Sequence, residues 1–461
     1  PLLACEGEEI TFTITVNPTA QVDQPGNYEY CNGDTATVDF TTSNGGVDSV
    51  TTYTWTVSGD NIGLDSSIDG DISQQVTNET TDTLTATVVV TPTYINDGEE
   101  CTGPTETFTI TVNPTAQVND IDPIVECNGS FVDEVVFSTA NTNGTTLYNW
   151  ENSNTSIGLA ATGTGNISSF QAINTTNDPV VATITVTPSY DVTDPLLACE
   201  GEEITFTITV NPSAQVNQPA DIILCNGVDS SIIEFTTINQ GGDTYYTWTN
   251  NNPSIGLDAN GLDFVPVFNP INNTTQPVEA IITVTPLYTG NEVDCPGVSQ
   301  QFIITVNPSA QVNYIDPIVE CNGDPVEVIF STANTNGTTI YNWENSNTSI
   351  GLAAMGTGDI ASFFAENTTN DPVVATITVT PQFENQGIIC DGASETFTIL
   401  VNGNVDPNPT ISNYNGFEIS CFGANDGSIE LSPIGATPFE SDPSYIYQWT
   451  GPNGFTSTDQ D

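Results

Sequence analysis

Polar and apolar positions alternate along most of this chain. The alternation is clearest in a fourteen-residue phrase that occurs five times. At 199–212 it reads CEGEEITFTITVNP, and the other copies are CEGEEITFTITVNP (5–18), CTGPTETFTITVNP (101–114), CPGVSQQFIITVNP (295–308) and CDGASETFTILVNG (390–403). In the copy at 199–212, Phe206, Ile208 and Val210 fall on one face and Thr205, Thr207 and Thr209 on the other. A period of two in β-branched and aromatic residues predicts a half-buried strand. Asn-Pro then ends it, because proline cannot donate to a ladder and restricts the residue before it. Each copy is therefore expected to be the last strand of a domain, with a cysteine at its entry and a boundary at its exit. The fifth copy ends in Gly403 instead of proline, and the pattern changes there.

Other landmarks repeat in step with the phrase. Cys-Asn-Gly stands at Cys31, Cys127, Cys225 and Cys321, and the phrase cysteines Cys101, Cys199, Cys295 and Cys390 follow about 70 residues later. Between them lie one Tyr-x-Trp (Trp55, Trp150, Trp248, Trp343), an Ile-Gly-Leu seven residues on, and a penultimate strand ending in Thr-Pro. Repetition at this period marks a tandem array. About seven short strands per unit, separated by Asn/Gly/Asp turns, predict an all-β chain of immunoglobulin-like antiparallel sandwiches with one disulfide each. No stretch has a helical period. The expected division is 1–18 as the last strand of a preceding, incomplete domain, four domains at 19–114, 115–212, 213–308 and 309–403, and a different segment at 404–461. Residues 1–22 nearly return at 195–216, and 138–188 at 331–381, so two subtypes alternate, as if a two-domain cassette had duplicated. Length is then the property such repetition serves. After Asn113-Pro114 the next strand pattern, residues 115–118, starts at once, so the joints should be stiff. Domains of roughly 35–45 Å would give an extended rod on the order of 150–200 Å. Both ends fall inside repeats, as in a window cut from something longer.

Composition narrows the function. The 461 residues include 58 Asp and Glu and no Lys, Arg or His. No side-chain ion pair can form, so burial, backbone hydrogen bonds and cross-links must hold the fold. Nothing can neutralise phosphate, which excludes nucleic acid as a partner. There is no imidazole base, Schiff-base lysine or guanidinium clamp, and no acidic pair stands out from the repeats, so no catalytic residue is assigned and no enzyme is expected. A charge of −58 favours solubility and self-repulsion. The 37% hydrophobic content, set in regular alternation, argues for folded domains over disorder. Ten cysteines point to an oxidising compartment outside the cytoplasm. No membrane span appears in this window.

The cysteines are expected to pair within each unit: Cys31–Cys101, Cys127–Cys199, Cys225–Cys295 and Cys321–Cys390. Each unit holds exactly that many, and separations near 70 without CxxC or histidine disfavour a redox or zinc pair. Each bond should staple one end of a sandwich. Cys5 and Cys421 then lack partners. The tryptophans, Trp449 included, read as core plugs, with sugar-stacking platforms as the rival. Asp65…Asp69-Gly-Asp71 and Asn119-Asp-Ile-Asp122 offer oxygen ligands for calcium but do not fit the twelve-residue calcium loop, and no cofactor is otherwise implied. Asn-x-Ser/Thr sequons occur at Asn78, Asn143, Asn154, Asn166, Asn174, Asn273 and Asn367, in a composition that makes chance matches frequent.

The last segment carries a resemblance. Ile419-Ser-Cys421, Asp426-Gly-Ser-Ile429, Tyr445-Ile-Tyr-Gln-Trp449 and Thr450-Gly-Pro-Asn-Gly-Phe455 resemble the SprB repeat of giant surface adhesins of gliding Bacteroidota. Residues 19–402 resemble the PKD-like, immunoglobulin-like domains of the same proteins, without the WDFGDG signature of ordinary PKD domains. The resemblance implies type IX secretion, display on the outer cell surface and a place in a gliding-motility adhesin filament. The partners it implies are neighbouring domains of the filament, surface polysaccharide and the gliding or secretion machinery. It also implies a partner for Cys421 just beyond Asp461. The competing reading is a glycan-binding sandwich array.

Overall fold

The structure, a computed structural model, describes residues 6–65, 68–191, 199–435 and 445–460. It is built of strands, and the second repeat shows how. Its main sheet runs Thr162–Thr164, Thr146–Asn152, Val180–Tyr190, Ile204–Asn211, Ile124–Cys127, and Cys199–Glu200 pairs with the far end of the long strand. A two-stranded ribbon, Phe131–Val132 with Phe170–Gln171, forms a separate small sheet. Val132 of the ribbon joins Trp150, Ile184, Val186, Phe206 and Ile208 of the main sheet in one buried cluster. These residues come from alternate positions of their strands, so the period of two in the sequence becomes one wet and one dry face. The other three repeats have the same strand order.

One pairing departs from the expected antiparallel pattern. Ile124–Cys127 runs parallel to the closing strand Ile204–Asn211, with Cys127 beside Asn211. The same parallel edge recurs at Cys31 with Asn113, Cys225 with Asn307 and Cys321 with Asn402. The Cys-Asn-Gly cysteine therefore lies at the exit of the closing strand, while the phrase cysteine lies before its entry. Eight residues of strand separate those ends, roughly 26 Å.

The segment at 115–118 is not a strand, although Ala116 is buried. Ile-Gly-Leu is the end of a tight turn. Thr155–Ile157 forms one 3-10 turn, Asn154 caps it by accepting from the Ser156 N–H, and Gly158 leaves it with φ +93°. Ile157 and Leu159 then both point into the core. A Cβ on Gly158 would also meet the Gln171 carbonyl, so glycine is needed there twice over.

The phrase copy at 6–18 forms no strand. Ile10, Phe12, Ile14 and Val16 are 78–85% exposed, and no strand lies beside them. The identical residues at 200–212 bury Phe206, Ile208 and Val210. The difference is the presence of paired neighbours.

By compactness the chain forms two units. One takes in residues up to 215 with 239–244 and 287–297, and the other holds 216–238, 245–286 and 298 onward. The division passes through the third repeat, because the part of that repeat that packs on the second stays with it.

Candidate functional site at the cystine joints

The disulfides correct the expected pairing. Cys31 bonds Cys199, Cys127 bonds Cys295 and Cys225 bonds Cys390, with Cα–Cα distances of 5.2, 5.4 and 5.4 Å. The bonds Cys31–Cys101, Cys127–Cys199, Cys225–Cys295 and Cys321–Cys390 are not formed. The parallel edge strand is the reason. It carries each Cys-Asn-Gly cysteine to the opposite end of the sheet from its own phrase cysteine, far beyond the 4.4–6.8 Å that a disulfide spans. Each cystine instead joins one repeat to the next. Among the described residues Cys101, Cys321 and Cys421 are unpaired. Cys5 lies outside the described residues.

Each joint has a small core of its own. At the first, Ala116, Tyr190 and Cys199 are buried together with Cys31 packed against them. The Tyr190 hydroxyl shares a 3.1 Å hydrogen bond with Thr83 of the preceding repeat, and the Thr142 N–H donates to the Thr81 carbonyl at 3.1 Å. At the second, Ala214, Tyr288 and Cys295 form the cluster. There Asn211 Nδ2 donates to the Gly290 carbonyl at 2.7 Å, and the Tyr288 hydroxyl donates to the Gln240 carbonyl at 2.9 Å. The third, in the second unit, uses Phe383 with Cys390, both buried. There the Thr335 N–H donates to the Thr275 carbonyl at 2.9 Å, and Asn385 Nδ2 to Asn307 Oδ1 at 2.9 Å. These bonds are neutral throughout, as a chain without cations requires.

The phrase glycine belongs to the joint as well. A Cβ on Gly201 would run into the Ala116 carbonyl oxygen, and Gly103, Gly297 and Gly392 face Ala20, Ala214 and Ala310 in the same way. Cys-x-Gly is thus the spacing that lets the backbone of residues 115–118 cross directly over the phrase entry.

Trp55, Trp150, Trp248 and Trp343 are 1, 6, 2 and 7% exposed. Gly163, Gly261 and Gly356 sit against the rings of Trp150, Trp248 and Trp343, where any side chain would collide with the indole. These rings offer no face to a sugar. Trp449 is only half buried and donates its indole N–H to the Asp459 carbonyl at 2.7 Å, so it is not a core plug like the others.

Three of the sequons are turns in the folded chain. Asn174 is 4% exposed, and its Nδ2 donates to the carbonyls of Asp178 at 2.8 Å and Val210 at 2.7 Å. Its Oδ1 accepts from the Thr176 N–H and hydroxyl, both at 2.8 Å. Asn78 and Asn367 do the same with Thr80 and Thr369. Asn-x-Thr is here an Asx turn, in which the threonine serves the asparagine side chain. An amide with both hydrogens engaged and its surface covered cannot carry a glycan. Asn143, Asn166 and Asn273 are exposed. Sequence reasoning passed over Asn272, which takes this place in the third repeat, with Nδ2 bonds to Gln276 and Val306.

Among the described residues no group of three or more His, Cys, Asp or Glu is placed to hold a metal, and no helix is long and apolar enough to cross a membrane. The titrations that move are mainly tyrosines. In each Tyr-x-Trp the hydroxyl of Tyr53, Tyr148, Tyr246 or Tyr341 is pushed up from its ordinary value, first by burial. Tyr288 at the second joint is pushed up by burial and then by Asp178 and Asp243. A raised folded value means that the neutral phenol belongs to the native state. Its contribution is intact below the ordinary value near 10 and is lost as pH rises through the folded one. Alkaline titration followed at the tyrosinate band should show these five of the 14 tyrosines ionising late, together with loss of the far-ultraviolet strand signal. All 14 titrating together near pH 10 before any unfolding would refute this.

Residues 418–454 match the model of the SprB repeat. That stretch is a SprB repeat. It lies behind the tandem immunoglobulin-like sandwiches. No curated protein matches the sequence. Among solved structures the chain is similar to the human desmocollin-1 ectodomain (10% identity, TM-score 0.28, covering 96% of this chain and 92% of that one). It is also similar to Drosophila N-cadherin EC1-4 (11%, 0.24, 82% and 99%) and to Sidekick-1 immunoglobulin domains 1-5 (10%, 0.25, 95% and 88%). Likeness at these scores fixes no partner or activity. The segment before the SprB repeat opens with a short ribbon, Pro409–Ile411 with Ile429–Leu431, that runs on into it.

Proposed function

We propose that residues 19–403 are a stalk, four PKD-like, immunoglobulin-like domains at 19–114, 115–212, 213–308 and 309–403 that hold an adhesive region away from the cell. The observation that carries this reading is the joint: a cystine, a buried aromatic and backbone hydrogen bonds link each repeat to the next, with a SprB repeat following. The role needs no catalysis. The finer proposal is a filament of the gliding-motility type, exported by type IX secretion in a member of the Bacteroidota. Its partners would be neighbouring domains of the same filament and surface polysaccharide. The withdrawn rings of the four repeat tryptophans weigh against sugar platforms on the stalk itself. Negative-stain electron microscopy of the chain tests the core of the proposal. A thin, beaded rod is expected, and a compact globule would defeat it.

A further inference from the structure

The spacing between the two cysteine classes is constant in one direction only. From a Cys-Asn-Gly cysteine forward to the next phrase cysteine the separations are 70, 72, 70 and 69, and the loops between them vary. From a phrase cysteine forward to the next Cys-Asn-Gly cysteine the step is 26 every time: Cys5 to Cys31, Cys101 to Cys127, Cys199 to Cys225, Cys295 to Cys321. The segments 101–127, 199–225 and 295–321 each contain one closing strand, the Asn-Pro crossing and the parallel first strand of the following repeat, as in Ile204–Asn211 and Ile222–Cys225. The cystines join these segments end to end. One covalent line runs through Cys31–Cys199, along 199–225, and through Cys225–Cys390. A second, staggered by one repeat, runs along 101–127, through Cys127–Cys295, and along 295–321. Every tryptophan strand, ribbon and variable loop lies outside both lines.

We infer that this array is a tether in which tension between its ends travels along the first cystine line and bypasses the sandwich bodies, with the staggered second line taking it up where the first is broken. Between Cys31 and Cys390 the backbone counts 359 positions, but the shortest covalent route counts only 26 and two cystines. At about 3.3–3.6 Å per residue that route can reach roughly 90 Å before the cystines are added, whatever the force. Unfolding a sandwich cannot lengthen it. Cross-links within each repeat would also shunt the sandwich bodies, but they would leave three 26-position segments in series between 31 and 390, 78 positions in place of 26. The inference depends on connectivity alone, and it stands or falls independently of what the chain projects or where.

Single-molecule stretching of the full chain, held at its two ends, tests it. Contour length is read at full extension, on molecules whose remaining native cystines non-reducing peptide mapping has first confirmed. Reduction of all three cystines removes a shunt of 333 positions and should lengthen the oxidised chain by roughly 1,150 Å. The pair Cys31→Ser with Cys199→Ser breaks the first line only. The shortest route between 31 and 390 then passes through Cys127–Cys295 and back to Cys225, 140 positions longer, and should add roughly 480 Å. The pair Cys127→Ser with Cys295→Ser breaks only the second line and should add nothing between these ends. The inference is overturned if the oxidised chain lengthens in steps of several hundred Å, if the two pairs behave alike, or if non-reducing peptide mapping after cleavage at Asp and Glu finds Cys31 joined to Cys101.

Discussion

Asn174→Asp should destabilise the second repeat by about 3–5 kcal/mol, the range for an uncompensated charge left in a buried site. The native amide gives both its hydrogens to main-chain carbonyls, Asp178 and Val210, and its oxygen takes two from Thr176. Val210 lies on the closing strand, so this one side chain ties the turn at 174–178 to the sheet. A carboxylate keeps the acceptor side and turns the donor side into an oxygen facing two oxygens. No cation exists in the chain to offset it. Asn174→Ala would be milder, leaving the Val210 carbonyl without its side-chain donor, at about 1–3 kcal/mol. Scanning calorimetry should show one component of the melt moving down while the rest stay. Asn143→Asp, in an exposed turn of the same repeat, is the control and should move nothing measurable. A shift for Asn174→Asp no larger than for that control would mean that the turn is not held as described.

Gly201→Val should cost about 3 kcal/mol, at the upper end of the range for forcing added atoms into a packed site. The new Cβ meets the Ala116 carbonyl on one side and Pro188 Cγ at 3.1 Å on the other. The Gly201 N–H is already committed to the Pro188 carbonyl at 3.0 Å, so the strand cannot retreat without breaking its ladder. The segment at 115–118 must lift instead, which opens the cluster of Ala116, Tyr190 and Cys199. Two readouts are expected together: a lower thermal midpoint for the second repeat, and less Cys31–Cys199 cystine in non-reducing peptide maps. Gly45→Ala, where a Cβ meets nothing within 4 Å, should leave both unchanged. Unchanged cystine and midpoint in Gly201→Val would remove the close crossing from the account.

Strand positions and the buried face were legible in the sequence, because alternation reports burial directly. Phe206, Ile208 and Val210 show it, all 4% exposed or less. Direction was not legible. A strand read with period two looks the same whether its neighbour runs up or down, and Ile124–Cys127 gives no sign that it lies parallel to residues 204–211. The expected cysteine pairing rested on two cysteines per repeat, a count blind to strand direction, and the parallel edge moved the bonds from within repeats to between them. Asn-x-Thr was ambiguous in another way. A glycan acceptor and an Asx turn ask for the same residues, and only the burial of Asn174 separates them. The copy at 6–18 marks a further limit. Its residues are identical to 200–212, yet it has no ladder, because strand preference expresses fit to paired neighbours more than any property of the segment alone.

The staggered cystines also bear on biogenesis. In an unfolded chain, closure of the 70-residue loop from Cys31 to Cys101 is about four times more frequent than closure of the 168-residue loop to Cys199, by chain entropy alone. A polypeptide oxidised as it emerged would therefore collect wrong partners first. Native bonds require the sheet to assemble ahead of the oxidant, so that the parallel edge strand carries Cys31 out of reach of Cys101. No repeat can then finish its own chemistry. Each of the first three waits, with its Cys-Asn-Gly thiol open, for its successor to arrive.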